Sequence, residues 1–442
     1  MKPELDRSYP DAMDTWPVAK LRRDQLHKLR RVLKHAHRGL SFYRERYDKA
    51  KIEADAVRNF EDFARLPTFT KRDVLDAIRE KKSFRTGMES GAGTDMGVLC
   101  MTSGTLGTSF LYLPRRWAEI RGNSLARAYW WAGLRPGMRM LMAAPAWHSL
   151  AVQETRVIHR LGVTCVVPWG TFLPRHAGSF LAAITEVKPD FVSIFLPMLY
   201  ALLAECRRRN LRPADAFQSV QNVLVVGAPM TPLSRAKLRE DLGVKDLFEG
   251  LGNPEGLTAM ECSHHRGHHI FIDCCYVEII DPGSGAPLAA GKRGNVIVTS
   301  LIPHGSVYIR YDTEDLGEIL PGLCPCGKTW PLLEVYDRRA NAVEVARKEI
   351  FPYDVRLCLD KVPELIHIPF ALLRGRRAAE VLKLKVQQPM GGGALEILEN
   401  QLKAQIKETL GLEARIEWTE ELPERWKGVA VIDEDNGGRA RV

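Results

Sequence analysis

Met101-Thr102-Ser103-Gly104-Thr105-Leu106-Gly107-Thr108-Ser109 decides how this chain is read. Thr102 to Ser109 sets five hydroxyl side chains and two glycines in eight residues, just after the apolar run Gly97-Val98-Leu99-Cys100. Glycines let backbone N–H groups close around an anion, and serine and threonine hydroxyls add neutral donors for phosphate oxygens. No Gly-Lys-Ser/Thr ends the stretch, so it is not a Walker loop. An ordinary polar turn has the same composition, and phosphate binding needs support from the rest of the chain.

On either side of this loop the texture divides the 442 residues. The chain before about residue 85 reads as helices: a basic segment from Lys20 to Arg46, then Arg58 to Arg65 and Lys71 to Ile78, with Thr70 suited to an N-cap. From Cys100 to about Leu301, helices such as Ser179–Val187 and Pro197–Arg209 alternate with apolar strands. The strands are Met138–Ala144, Val163–Val167, Phe191–Phe195 and Val223–Val226, an alternation that predicts a mostly parallel, helix-covered sheet. Tyr276–Ile280 and Asn295–Ser300 flank the turn-rich Asp281-Pro282-Gly283-Ser284-Gly285 and predict an antiparallel unit. Helices Tyr353–Asp360 and Ala394–Leu410 with strands Ala379–Val386 and Ala414–Trp418 follow, and the polar tail Glu434–Val442 reads as disordered. The expected fold class is α/β, with a large N-terminal domain of mixed sheets and helices over 1–337 and a small, mobile α+β domain over 338–442.

Composition narrows the function classes. A 45% hydrophobic and 26% charged chain is globular and soluble, and no stretch reaches the ~20 apolar residues of a membrane span. The polar start Met1-Lys2-Pro3-Glu4-Leu5-Asp6 lacks the apolar core of a signal peptide, which predicts a cytoplasmic protein. The net charge of +9 sits largely on Arg22, Arg23, Lys28, Arg30, Arg31 and Lys34, while Leu26, Leu29 and Leu33 keep helical spacing. That pattern is an amphipathic helix with a solvated basic face, able to attract anionic substrates, and not a nucleic-acid site. Nine cysteines without a secretion signal argue against a disulfide framework.

Four features in chain order together resemble the adenylate-forming superfamily, and within it the phenylacetate–coenzyme A ligase family. They are the Thr102–Ser109 loop, Gly227-Ala228-Pro229-Met230, Ile309-Arg310-Tyr311-Asp312-Thr313-Glu314-Asp315-Leu316, and a late lysine in the small domain. The resemblance also covers Leu40–Arg46, Leu66-Pro67-Thr68-Phe69-Thr70-Lys71, Val277–Pro282, Cys324–Thr329 and Ile350-Phe351-Pro352.

The resemblance implies that Thr102, Ser103, Gly104, Thr105 and Gly107 cradle the ATP phosphates, with Thr108 where the family carries a lysine. It implies that Gly227, Ala228 and Pro229 lie against adenine, Asp315 accepts the ribose hydroxyls, and Arg338 contacts ribose and phosphate. For Mg2+ it implies Glu255 after a register shift, or Glu249. Lys427, in Leu422–Asp433, falls on the catalytic lysine that stabilises charge at the α-phosphorus. Cys262, His269, Cys324 and Cys326 resemble a structural zinc site, with His264, His265 and His268 as alternative ligands and Cys274 and Cys275 read as core thiols. Trp147, His148, Trp169, Phe195 and Tyr200 follow strand ends where the family builds its acyl pocket, or are core packing.

The resemblance implies ATP-dependent activation of a small aromatic acid as an acyl adenylate, then transfer to coenzyme A, with a homodimer as an expected assembly. Two departures keep other acceptors open. The family's acidic hinge pair is replaced by Asp337-Arg338-Arg339-Ala340-Asn341, and its glycine near the pantetheine tunnel is Arg347. An amine or carrier thiol as acceptor, another oxyanion such as nitrite coupled to an aryl amine, and a non-catalytic nucleotide-binding scaffold are the alternatives.

Overall fold

In the computed structural model, the described residues are 12–81, 86–90, 97–102, 109–142, 153–154, 157–158, 160–168, 174–375, 379–389, 394–423 and 431–434. Ser103–Thr108, Trp147, His148, Trp169, Lys427 and the tail from 435 lie outside them. The chain divides into two compact units, one formed by Met1–Met140, Ala144–Cys165 and Phe248–Val335, the other by Leu141–Ala143, Val166–Leu247 and Tyr336–Val442.

In the first unit the basic segment forms two helices, Val18–Gly39 and Ser41–Lys49, where one was expected. Leu40 breaks them apart, with extended backbone (φ −115°, ψ 114°) and a buried side chain. Leu21, Leu29, Val32, Leu33 and Ala36 are buried along one face of the first helix, and Arg22, Arg23, Arg30 and Arg31 are exposed. Each buried leucine stabilises this packing by about 1.5–3 kcal/mol, so the apolar stripe, not the charge, fixes the helix in place.

Strands Gly97–Thr102 and Ser109–Pro114 pair antiparallel, from Gly97 opposite Pro114 to Thr102 opposite Ser109. The hydroxyl-rich loop therefore joins two hairpin strands, and its ends are held side by side. Helix Arg115–Trp131 follows directly and buries Trp117, Arg121, Leu125 and Ala128.

Seven further strands run side by side, largely antiparallel, in the order Cys275–Ile280, Gly294–Ser300, Tyr311–Leu320, Leu332–Arg338, His268–Ile270, Thr258–Met260, Asp246–Gly252, and Glu89–Ser90 pairs separately with Gly305–Ser306. The predicted antiparallel pair is present, from Cys275 opposite Ser300 to Ile280 opposite Asn295. Asp281 organises the turn after it, accepting from the N–H groups of Gly283 (3.1 Å) and Ser284 (2.8 Å). That is the local chemistry aspartate offers a turn.

In the second unit, Phe191–Phe195 and Asn222–Val226 pair in parallel, as the strand–helix alternation predicts. Helices Ala177–Val187, Leu196–Arg208 and Pro232–Leu242 pack with them around Leu181, Ile184, Leu199, Leu202 and Leu238. The C-terminal part orders its described strands Ala414–Thr419, Leu382–Gln387, Phe370–Arg374, Val431–Asp433. Helices Pro352–Leu359 and Leu395–Leu410 cover them through Val355, Leu359, Leu398, Leu402 and Ile406. The expected strand Ala379–Val386 begins later, at Leu382, because Ala379 bridges to Val345 instead.

Candidate active site

The loop hairpin receives a cation from outside its own sequence. Lys71, first residue of helix Lys71–Lys81, extends Nζ to the Ser109 hydroxyl at 2.5 Å, and both residues are buried. Sequence reasoning missed this residue as a site component, although it closes the quoted Leu66–Lys71 motif. Of the loop residues themselves, Thr102 is the last residue of the first strand, and Ser103, Gly104, Thr105 and Gly107 are not described.

Glu255 sits in a loop built by backbone carbonyls and one guanidinium. Asn253 closes the loop, its N–H donating to the Leu257 carbonyl (3.1 Å) and its Oδ1 accepting from the Leu257 N–H (2.9 Å). The buried Arg121 then donates to the carbonyls of Gly256 (2.7 Å), Leu257 (2.7 Å) and Asn253 (3.2 Å). Glu255 itself is buried and lies near enough to Tyr308 to add to the upward shift that burial gives that phenol. Glu249 is placed elsewhere. It faces His268, with Nε2 3.6 Å from its carboxylate, and its N–H donates to Glu261 (2.7 Å).

Asp315 lies half-buried on strand Tyr311–Leu320. Against the neighbouring strand, Asn295 pairs with Leu316 and Ile297 with Asp312, so the strand bulges between. Glu314 takes up the extra length with φ +63°, held by its N–H donating to Asp312 Oδ1 at 2.8 Å. A bulge redirects the side chains beside it and recurs next to active sites. Asp315 is one residue beyond the distorted position.

Upstream, Arg310 ties the strand to the N-terminal segment. Its buried guanidinium donates to Glu278 (3.1 Å) and to the carbonyls of Ala64 and Leu66. Burial raises the Glu278 carboxyl, and Arg310 works against that shift.

In the second unit, Gly227 follows strand Asn222–Val226 with φ +93°, and a Cβ there would meet the Phe195 ring at 2.6 Å. Ala228 and Pro229 continue the turn half-buried, and Thr231 caps helix Pro232–Leu242 by accepting from the Ser234 N–H. The Thr231 hydroxyl also donates to buried Asp360 at 2.5 Å. Phe195 is buried beneath Gly227, and Tyr200 stacks on His367 with 5.0 Å between ring centroids.

Arg338 ends its strand exposed, and its N–H donates to Asp337 Oδ1 (2.7 Å), which also accepts from the Asn341 side chain (2.7 Å). Hairpin Val343–Val345/Lys348–Ile350 turns through Ala346 and Arg347, both at positive φ (48° and 61°). Two consecutive left-handed residues are the geometry of a tight primed turn, where Asn-Gly is favoured.

The structure brings Cys262, His269, Cys324 and Cys326 together, all buried, with ligand atoms within 4.8 Å of one another. Cys262 and Cys324 sulfurs are 3.6 Å apart, and His269 Nε2 is 3.4 Å from the Cys326 sulfur. Hydrogen bonds from Cys262 and Cys326 hold the Cys324 thiol well below the usual range. Of the alternative histidines, His264 is exposed, His265 pairs with Glu261 (3.2 Å) and His268 faces Glu249. Cys274 and Cys275 are buried, and burial pushes their thiols up to about 12 and about 11.

The sequence profile of the AMP-binding enzymes matches residues 25–301. The chain belongs to the AMP-binding enzyme family. A phenylacetate–coenzyme A ligase of Thermus thermophilus is 27% identical over 398 residues, covering 86% of this chain and 85% of that protein. One from Pseudomonas putida is 26% identical over 430 residues, covering 93% of each. The expected kinship with these ligases is borne out. In fold, the chain superposes on a 2-hydroxyisobutyryl-CoA ligase in the postadenylation state, in complex with an acyl-AMP. The TM-score is 0.88 at 20% identity, covering 98% of this chain and 95% of that one.

Proposed function

We propose that this protein uses ATP to activate a small aryl carboxylic acid as its acyl adenylate and then passes the acyl group to coenzyme A. The observation that carries this reading is the family match, joined by end-to-end similarity to coenzyme A ligases of nearly the same length. In the first step a carboxylate oxygen of the acid attacks the α-phosphorus and the bond to pyrophosphate breaks. In the second the coenzyme A thiol attacks the acyl carbon, releasing AMP and a proton.

Positioning and charge neutralisation supply most of the acceleration in phosphate-centred transfers. In this reading the Thr102–Ser109 loop holds the phosphates through N–H and hydroxyl donors, and Lys71 supplies the cation that Thr108 does not. Gly227, Ala228 and Pro229 lie against adenine, Asp315 accepts the ribose diol, and Arg338 meets ribose and phosphate. Glu255 would hold Mg2+, which neutralises phosphate charge; its fixed, buried loop suits that task better than Glu249, which is already engaged with His268. Residues 338–442 close over the site as a small domain and bring Lys427 to the α-phosphate. Three thiols and one imidazole suit a closed tetrahedral zinc site, and Cys262, His269, Cys324 and Cys326 would hold that ion as a structural brace. Nine unpaired cysteines fit the reducing cytoplasm.

An amine acceptor is the second reading, favoured by one observation. Arg347 places a long exposed side chain at a positive-φ position where the family carries glycine. Incubating enzyme, ATP and an aryl-acid panel with coenzyme A or with amines separates the two. Thioester formation supports the first reading, and amide formation with no thioester replaces it with the second.

A further inference from the structure

The strand His268–Ile270 has two chemically different faces. Adjacent strand residues point to opposite sides, so His269 meets the cysteines while His268 meets Glu249 and Glu261. The ligand atoms of Glu249, Glu261 and His268 lie within 4.8 Å of one another, and all three residues are buried. Glu334 adds a third carboxylate that interacts with all three.

His268 is oriented as metal-binding histidines are. Its Nδ1–H donates to the Leu333 carbonyl at 3.2 Å, which fixes the ring and turns Nε2 toward Glu249 at 3.6 Å. An imidazole anchored through its other nitrogen by a carbonyl is the usual support for a coordinating nitrogen. Glu261 is likewise held, accepting from the Glu249 N–H (2.7 Å) and from His265 (3.2 Å). His268 and His265 face Glu249 and Glu261 at 3.6 and 3.2 Å, and Glu334 remains beside them as a further carboxylate.

We propose that Glu249, Glu261 and His268 form a second divalent-cation site, separate from the thiolate cluster and built for a transition ion such as Zn2+. One imidazole nitrogen with two carboxylate oxygens suits Zn2+ or Co2+, whereas Mg2+ prefers oxygen ligands and retains its waters. Three protein ligands also leave a coordination position for water or another group. The ion would cross-link strand Asp246–Gly252 to Glu261 and strand His268–Ile270, at the base of the loop that carries Glu255. The inference stands apart from the proposed reaction, since it rests on this cluster alone.

Full-length protein stripped with chelator and titrated with Co2+, without ATP, tests it. Cobalt on thiolates gives an intense sulfur charge-transfer absorption, and cobalt on carboxylates and imidazole does not. Wild type should bind one equivalent that carries no such absorption. Glu261→Gln and Glu249→Gln, which preserve shape, should each weaken that equivalent by more than ~100-fold, beyond the effect of losing a supporting contact. Both should keep the sulfur band, which also reports that they fold. If wild type binds no cobalt outside the sulfur band, or either variant binds that equivalent as wild type does, the site does not exist.

Discussion

The Arg121 guanidinium donates to the Gly256 carbonyl at 2.7 Å across 135 residues of chain, and through two further carbonyls it fixes the loop that presents Glu255. Burial lowers the Arg121 pKa, and Cys274, Cys275 and Asp273 oppose that shift. Replacing it takes away the donor of the buried Gly256 carbonyl, while the Leu257 and Asn253 carbonyls keep the N–H groups of Asn253 and Gly256. One buried unsatisfied group costs about 1–3 kcal/mol. Arg121→Met should therefore lower unfolding free energy in urea by about 1–3 kcal/mol. A loss below about 1 kcal/mol would mean that water replaces the guanidinium and that Arg121 does not hold the loop.

Lys71→Met should weaken ATP more than it weakens the acid. A hydrogen bond to a charged group contributes about 1.5–3 kcal/mol, a rise of roughly 10–100-fold in KM for ATP. Lys71→Arg should recover part of the loss. An unchanged KM for ATP in Lys71→Met would confine this lysine to supporting the Ser109 hydroxyl.

Helix periodicity, the parallel strand pair and the Asp281 turn were legible in sequence because each is decided by residues a few positions apart. The four members of the Cys/His cluster were legible too, through their resemblance to the family's zinc site, although four histidines stayed open as the nitrogen ligand. Lys71 with Ser109, Arg121 with Gly256, and the bulge at Glu314 were not. Each arises from a partner strand or helix far away in the chain, and no local pattern encodes the pairing. The single basic helix expected from Lys20 to Arg46 failed for a related reason. Leu40 keeps the apolar spacing but is held extended to bury its side chain.

Arg347→Gly should stabilise the protein. A left-handed conformation costs a non-glycine residue roughly 1–2 kcal/mol, and glycine removes most of that cost while losing some entropy on folding. The expected gain is about 1 kcal/mol, read as a higher urea midpoint with an unchanged slope. A fall in the midpoint would show that the Arg347 side chain contributes more than its backbone strain costs.

Burial holds His367 neutral and pushes its pKa down to about 4, with the bond to the Ser234 carbonyl working the other way. The folded state therefore binds fewer protons than the unfolded state between about pH 6.5 and pH 4, and stability falls as pH drops through that window. The full effect of such a shift is about 3 kcal/mol. His367→Gln should flatten this part of the stability profile, compared with wild type by urea unfolding at pH 7, 6, 5 and 4. Parallel profiles would place the acid sensitivity in other groups.

Acid-dependent exchange of radiolabelled pyrophosphate into ATP tests the central claim most directly, because it reports the adenylation step whatever the acceptor. Wild type should exchange only when a suitable aryl acid is present. Lys427→Ala should lose on the order of 10²–10³ of that rate, as for removal of one preorganised charge at the transition state. ATP binding by the variant, measured by calorimetry, should change little, and a synthetic acyl adenylate should still react with coenzyme A. No acid-dependent exchange by wild type across the panel, or wild-type exchange by Lys427→Ala, would contradict the account.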